Sequence, residues 1–149
     1  MVELQGILIR RVIKNDGQVI EFAPAHNTIV NVGRYHVADM IGKKSSRGFT
    51  HLAMGTNRTG ATPANSALVS ELTTGGLTRA AATVTRTLTT VQFVKTFTLT
   101  TAKSIMEYGI FNSQTIAVGT MMSRITQATL TLANANKIQL DWSIGVRRV

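Results

Sequence analysis

His36 and Asp39 stand three residues apart inside HNTIVNVGRYHVADMIG, residues 26–42, a spacing that brings an imidazole and a carboxylate into contact on a helix. Such a pair can orient a histidine as a general base, but the sequence ties no nucleophile to it. A weak structural contact on a helix surface accounts for it equally well. The other titratable candidates are His26, His51, Asp16, Asp141, Glu3, Glu21, Glu71 and Glu107. Asp16 belongs to an Asp-Gly turn, and Asp141 falls on the wet face of an alternating strand. The three histidines have no recognised metal-ligand spacing, and there is no HExxH. AMGTNRTG, residues 53–60, has the glycines of a phosphate loop but not its Gly-Lys-Ser/Thr ending, and no helix is expected directly after it. No catalytic residue, metal site or cofactor is assigned.

Glu107 is the acid that most needs explaining. It lies in IMEYGIF with apolar neighbours on both sides, and a carboxylate buried there requires an arginine or backbone N–H donors. Arg79 and Arg124 are the candidate partners. A lone carboxylate does little chemistry, so Glu107 is expected to be a structural anchor.

Composition narrows the function further. The chain has 149 residues, enough for one domain with a substantial core. Threonine occurs 22 times, almost always after residue 49, and a β-branched polar residue suits the wet face of a strand. There is no cysteine, which excludes disulfides and cysteine-based zinc sites. No secretion signal is recognised in ELQGILIRRVI, and no apolar run reaches the ~18 residues of a membrane span, so a soluble protein is expected. The six methionines read as core filling.

The net charge of +9 fits nucleic acid, an anionic surface or an acidic protein partner. The basic residues are scattered, with GKKSSRG at 42–48 as the one local cluster, and no aromatics alternate with them as a base-stacking platform would require. The plain reading is a basic solvated surface that docks on something acidic. Arg10, Arg11 and Lys14 in the N-terminal hairpin, with Lys43, Lys44 and Arg47 in the cluster, are the expected contacts, chosen on exposure and charge.

The hydropathy pattern places these residues on a mainly β framework. LQGILIRRVI and QVIEF flank Asp16-Gly17 and predict a β-hairpin, ended by Pro24. The helix is expected over about 28–41, capped by Thr28 or Asn27, with Val30, Val37 and Ile41 on its packed face and Gly42 ending it in the left-handed conformation. FTHLAMGT predicts a strand, and ALVSEL one or two helical turns capped by Asn65 or Ser66. In VQFVKTFTLTT the residues Val91, Phe93, Phe97 and Leu99 form one buried face interrupted by Lys95. Four strands are expected from SIMEYGIFN to the end, with a break near Gln127, and the last alternates cleanly through Leu140, Trp142, Ile144 and Val146. The expectation is an antiparallel β-sandwich or barrel-like fold with one main helix, divided into a hairpin arm (1–25) and a β-rich body (26–149) within one domain.

The order of these pieces resembles small virion structural proteins of tailed bacteriophages. The resemblance runs over roughly residues 26–146: HNTIVNVGRYHVADMIG, THLAMGTNRTGATPANSALVSEL, LTRAAATV, VQFVKTFTLTT, IMEYGIFN, VGTMMSRI and IQLDWSIGV. It resides in their order and spacing, because each piece alone is degenerate. It implies a non-enzymatic assembly protein of the virion, put together in the host cytoplasm. The implied role is head decoration or cement, binding the outside of the major capsid protein as a homo-oligomer, often a trimer. A tail-tip, neck or tail-fibre-attachment role with tail-protein partners is the alternative. A sugar-binding or enzymatic module is the third reading, disfavoured by the scarcity of aromatics and of clustered acids.

Overall fold

The computed structural model describes residues 1–149 and is mainly β. Its strands are β1 (Val2–Ile13), β2 (Val19–Glu21), β3 (Ala25–His26), β4 (Thr28–Ile29), β5 (His51–Gly55), β6 (Ala80–Ala81), β7 (Thr83–Thr87), β8 (Thr90–Thr98), β9 (Lys103–Phe111), β10 (Met121–Leu132) and β11 (Lys137–Arg148), with one helix, α1 (Asn31–Ile41). They form two antiparallel sheets. Sheet A runs β2-β1-β11-β8-β7, with β3 added to β1; sheet B runs β4-β10-β9-β5-β6. No helix is long and apolar enough to cross a membrane.

Alternation determines which residues meet between the sheets. Leu8 and Val12 of β1, Phe93 and Phe97 of β8, and Leu140, Trp142 and Ile144 of β11 face inward from sheet A. Leu52, Met54, Tyr108, Ile110 and Ile125 meet them from sheet B. Lys95 interrupts the buried face of β8 as the sequence predicts, and its ammonium lies 6.0 Å from the Phe97 ring. Burying a large apolar side chain in this way contributes about 1.5–3 kcal/mol each.

The hairpin forms at Asp16-Gly17. Gly17 takes φ +86°, and the Gln18 N–H donates to Asp16 Oδ1 at 2.9 Å. It is not a free-standing arm. β1 pairs with β11 over its whole length, from Val2 opposite Arg148 to Ile13 opposite Lys137, so it is an interior strand of sheet A.

The helix begins later than its sequence suggests. Thr28 and Ile29 pair with β10, and Val30 becomes the N-cap without a side-chain cap bond. The first free N–H groups go elsewhere: Val30 donates to Met122 O and Asn31 to Pro63 O. Asn27 packs its amide against Gly6 instead of capping. The packed stripe is Gly33, Val37 and Met40, while Ile41 is 81% exposed, about 80° around the helix from Gly33. The left-handed residue is Lys43 (φ +56°), not Gly42 (φ −77°).

Two further expectations give way to long-range pairing. ALVSEL is not helical, because its backbone is drawn onto sheet B. The region around Gln127 is not a break between strands but an irregularity within β10, where the register against β9 shifts between Thr126 and Leu130. Three strands therefore complete the chain where four were expected.

Gly33 sets how closely α1 approaches β10. A Cβ there would lie 2.6 Å from Met122 O and 2.8 Å from Met122 Cα, both backbone atoms that cannot swing aside. Gly33→Ala is expected to destabilise the protein by about 1–3 kcal/mol in urea unfolding. Gly48→Ala, whose Cβ meets nothing within 4 Å, should change stability by less than about 0.5 kcal/mol.

Candidate functional site

Glu107 is fully buried and fully partnered. It lies on the face of sheet B that points away from sheet A, and its Oε2 accepts from Arg124 Nε at 2.9 Å. The Val69 and Ser70 N–H groups donate to its two oxygens at 3.1 and 2.7 Å. Arg124 Nη1 continues to Gly60 O and Asn65 Oδ1. The pair thus ties both arms of the long segment 56–72 to the sheet. Room for it comes from two glycines. A Cβ at Gly55 would strike Glu107 Oε1 at 2.4 Å, and one at Gly109 would come within 3.0 Å of the Leu68 side chain.

A second buried pair pins the same segment further on. Arg79 binds Glu71 through Nε and Nη2 at 2.8 and 2.7 Å, lies 3.5 Å over the Phe111 ring and donates to Ser113 O. Both predicted candidates for buried arginine partners are therefore used, Arg124 on Glu107 and Arg79 on Glu71.

The three histidines do not converge, and no group of three or more potential metal-ligating side chains forms. His26 is exposed on β3. His36 turns away from Asp39: its Nε2 lies 2.6 Å from Arg47 O, and its ring meets Phe49 edge-on. His51 Nδ1 lies 2.8 Å from Thr50 Oγ1. Desolvation, and then the nearby Arg79 cation, hold the His51 pKa below its usual value.

The residues expected to contact a partner are distributed differently from their sequence positions. Arg10 is only 6% exposed, because it faces inward between Leu8 and Val12. Its guanidinium donates to the Tyr108 hydroxyl and packs on the Phe22 and Tyr108 rings. The exposure for which it was chosen is absent. Burial raises the Tyr108 pKa, an effect that Arg10 partly offsets. Arg11 is held between Glu21 and Asp141. Lys14 is exposed at the hairpin turn, and Lys43, Lys44 and Arg47 are exposed after α1. Those two regions are at opposite ends of the sandwich, since Leu4, at the α1 end of β1, is ten residues and roughly 30 Å from Lys14.

At the α1 end the two sheets part and leave an apolar cleft of about 350 Å³. Leu4, Val37, Met40, Val84, Val91 and Val146 are among its lining residues. Val84 and Val146 are 41% and 44% exposed. Sequence reasoning missed this cleft. Val84 sits in TVTRT, an alternating stretch in which nothing local says that sheet B leaves it uncovered.

Compared with protein families, curated proteins and solved structures, the chain matches none.

Removing one member of a buried ion pair leaves an uncompensated charge. Arg124→Met and Glu107→Gln should each cost about 3–5 kcal/mol in denaturant unfolding, and their combination should cost less than the sum. Limited proteolysis should show cleavage within residues 56–72 in either single variant. His51 makes a separate pH prediction. Its folded pKa lies below its unfolded value, so only the unfolded chain takes up the proton as pH falls through about 6.5. Stability should decline over that interval, and His51→Gln should reduce the decline.

Proposed function

We propose that the protein is a non-enzymatic virion component of a tailed bacteriophage. In this reading it is a head decoration protein that docks on the acidic outer surface of the major capsid protein. The division of charge supports it. Of seven acids, Glu71 and Glu107 are withdrawn into ion pairs, and Glu21 and Asp141 flank Arg11. Glu3, Asp16 and Asp39 remain, against exposed cations that include Lys14, Lys43, Lys44, Arg47, Arg86 and Arg148. The excess of +9 therefore acts outward, where it can steer encounter with an acidic surface. Internally satisfied arginine pairs suit a protein whose task is to hold its shape on a shell. Attachment as a homo-oligomer, with a trimer favoured, would let many weak contacts add.

Electron microscopy of virions carrying tagged protein tests the location. Density is expected at the joints between capsomers; density on the tail would overturn the decoration reading in favour of a tail-attachment role. Docking of the purified protein on purified shells should weaken at least tenfold as NaCl rises from about 50 to about 500 mM. Salt-independent docking would rule out the charge-led contact.

A further inference from the structure

Three features meet at the α1 end of the sandwich: exposed apolar surface, an unpaired strand edge and a cationic rim. β7 is the outermost strand of sheet A, and all five of its residues are exposed. The other edge strands, β2, β3, β4 and β6, have two or three residues each, too short to template a further strand, and the edge of β10 left open beyond β4, over Ile125–Leu132, carries no cleft-lining residue. Val84 lies opposite Phe93 and Arg86 opposite Val91, so both belong to the inward face of β7. That face is left open where it borders the cleft. The segment 41–47 joins Met40 to Gly48, both of which line the cleft, and carries the exposed Lys43, Lys44 and Arg47. Arg86 adds a cation on the β7 side, its Nη1 donating to Leu88 O. Asp39 and Glu3 are the acids adjacent in sequence to the cleft, one residue before Met40 and Leu4 respectively.

We propose that this mouth binds an extended acidic segment of a partner protein. The segment adds as a strand to the free edge of β7 and places an apolar side chain in the cleft. Carboxylates two residues to either side of it share that inward face and meet Lys43, Lys44, Arg47 and Arg86. Strand addition supplies backbone hydrogen bonds, and the cleft selects alternate side chains. A volume of about 350 Å³ lies at the low end for ligand pockets and suits side chains better than a whole small molecule. Charge argues against a second copy of this chain as the occupant, because its own rim would bring lysines and arginines against lysines and arginines. The inference rests on the acidic-partner reading above and gives that partner a docking site.

The test uses the intact protein and three labelled heptapeptides with serine at every odd position: glutamate–valine, with Glu, Val and Glu at the even positions; glutamate–serine, with that Val replaced by Ser; and lysine–valine, with both Glu replaced by Lys. Fluorescence anisotropy should show the glutamate–valine peptide binding at least tenfold more tightly than the other two. Amide shifts in NMR spectra should fall on residues 83–87, with methyl shifts at Val84, Val91 and Met40. Val84→Glu, at a position exposed enough to keep the fold, should weaken binding at least tenfold, as should Lys44→Glu combined with Arg47→Glu. Lys137→Glu, exposed at the far end opposite Ile13, should leave binding within twofold. Equal binding of the glutamate–serine peptide would reduce the site to charge alone and overturn the cleft. Shifts confined to other strands, or no binding, would overturn it as well. Concentration-dependent protection of the β7 amides without peptide would assign the edge to a second copy. Shells separate the two readings: docking unchanged by Val84→Glu sinks the cleft and leaves the decoration role standing. Peptide binding without shell docking does the reverse.

Discussion

A carboxylate in the middle of a sheet has to be answered from several directions at once, and Glu107 is. Its position on β9 is surrounded by residues that bury it completely, so its negative charge survives only if cations and N–H donors come to it. Arg124 comes from the neighbouring strand, and Val69 and Ser70 come from a segment more than thirty residues earlier. That demand explains several otherwise separate features. It holds ALVSEL extended, with the Val69 and Ser70 N–H groups on the carboxylate and Ser70 O and the Leu72 N–H paired to the chain at Thr56 and Met54. It requires Gly55 and Gly109, because any side chain there would occupy the space of the carboxylate or of Leu68. It also gives the stretch around Leu68 a third layer's role, covering the outer face of sheet B over Ala53, Phe111 and Met121, while Leu77 further on packs into the core between the sheets.

The covering is one-sided, and the asymmetry has a consequence for function. Sheet B carries α1 and the 56–79 segment, whereas sheet A ends in a hairpin whose inward residues Val84 and Arg86 extend past any cover. The protein therefore spends its buried charge on fixing one layer and leaves its open apolar surface beside the other. The two surfaces have opposite characters. One is sealed by ion pairs that gain nothing from a partner, and the other offers a strand edge and apolar side chains whose burial would be favourable.

How much of this could be read in the sequence depended on whether the signal was local. Glu107 was legible because an unpaired buried carboxylate is too costly to exist, so an arginine partner or backbone donors could be expected before any contact was seen. The buried faces of β8 and β11 were legible because period-two alternation does not depend on the neighbour. The helix ends were not. The N-terminus is satisfied by Pro63 O and Met122 O, carbonyls from distant segments, so no serine, threonine or aspartate marks it. Lys43 takes the left-handed turn that the steric preference for glycine assigned to Gly42, so the rule pointed one residue too early. Arg10 and Arg11 are adjacent and chemically alike, but strand alternation sends one into the core and the other to Glu21 and Asp141. The cleft was the least legible feature, because it is defined by where a sheet stops.

The same alternation links the charge economy of the core to the surface. Every acid drawn inward to match a buried arginine is one fewer acid outside, but the buried pairs are neutral and leave the net excess where it was. Arg10 is the exception, a buried cation answered by a phenol, a glutamine and two aromatic rings without a carboxylate. Its charge therefore still contributes to the outward field, although the side chain itself is almost wholly buried. A guanidinium can be held this way because its delocalised charge is weakly hydrated and stacks on aromatic faces, whereas an ammonium at the same place would lose more hydration and gain less. The positive field of this protein is thus partly built into its core, and a partner attracted by it would meet the exposed lysines and arginines only at the last step of approach.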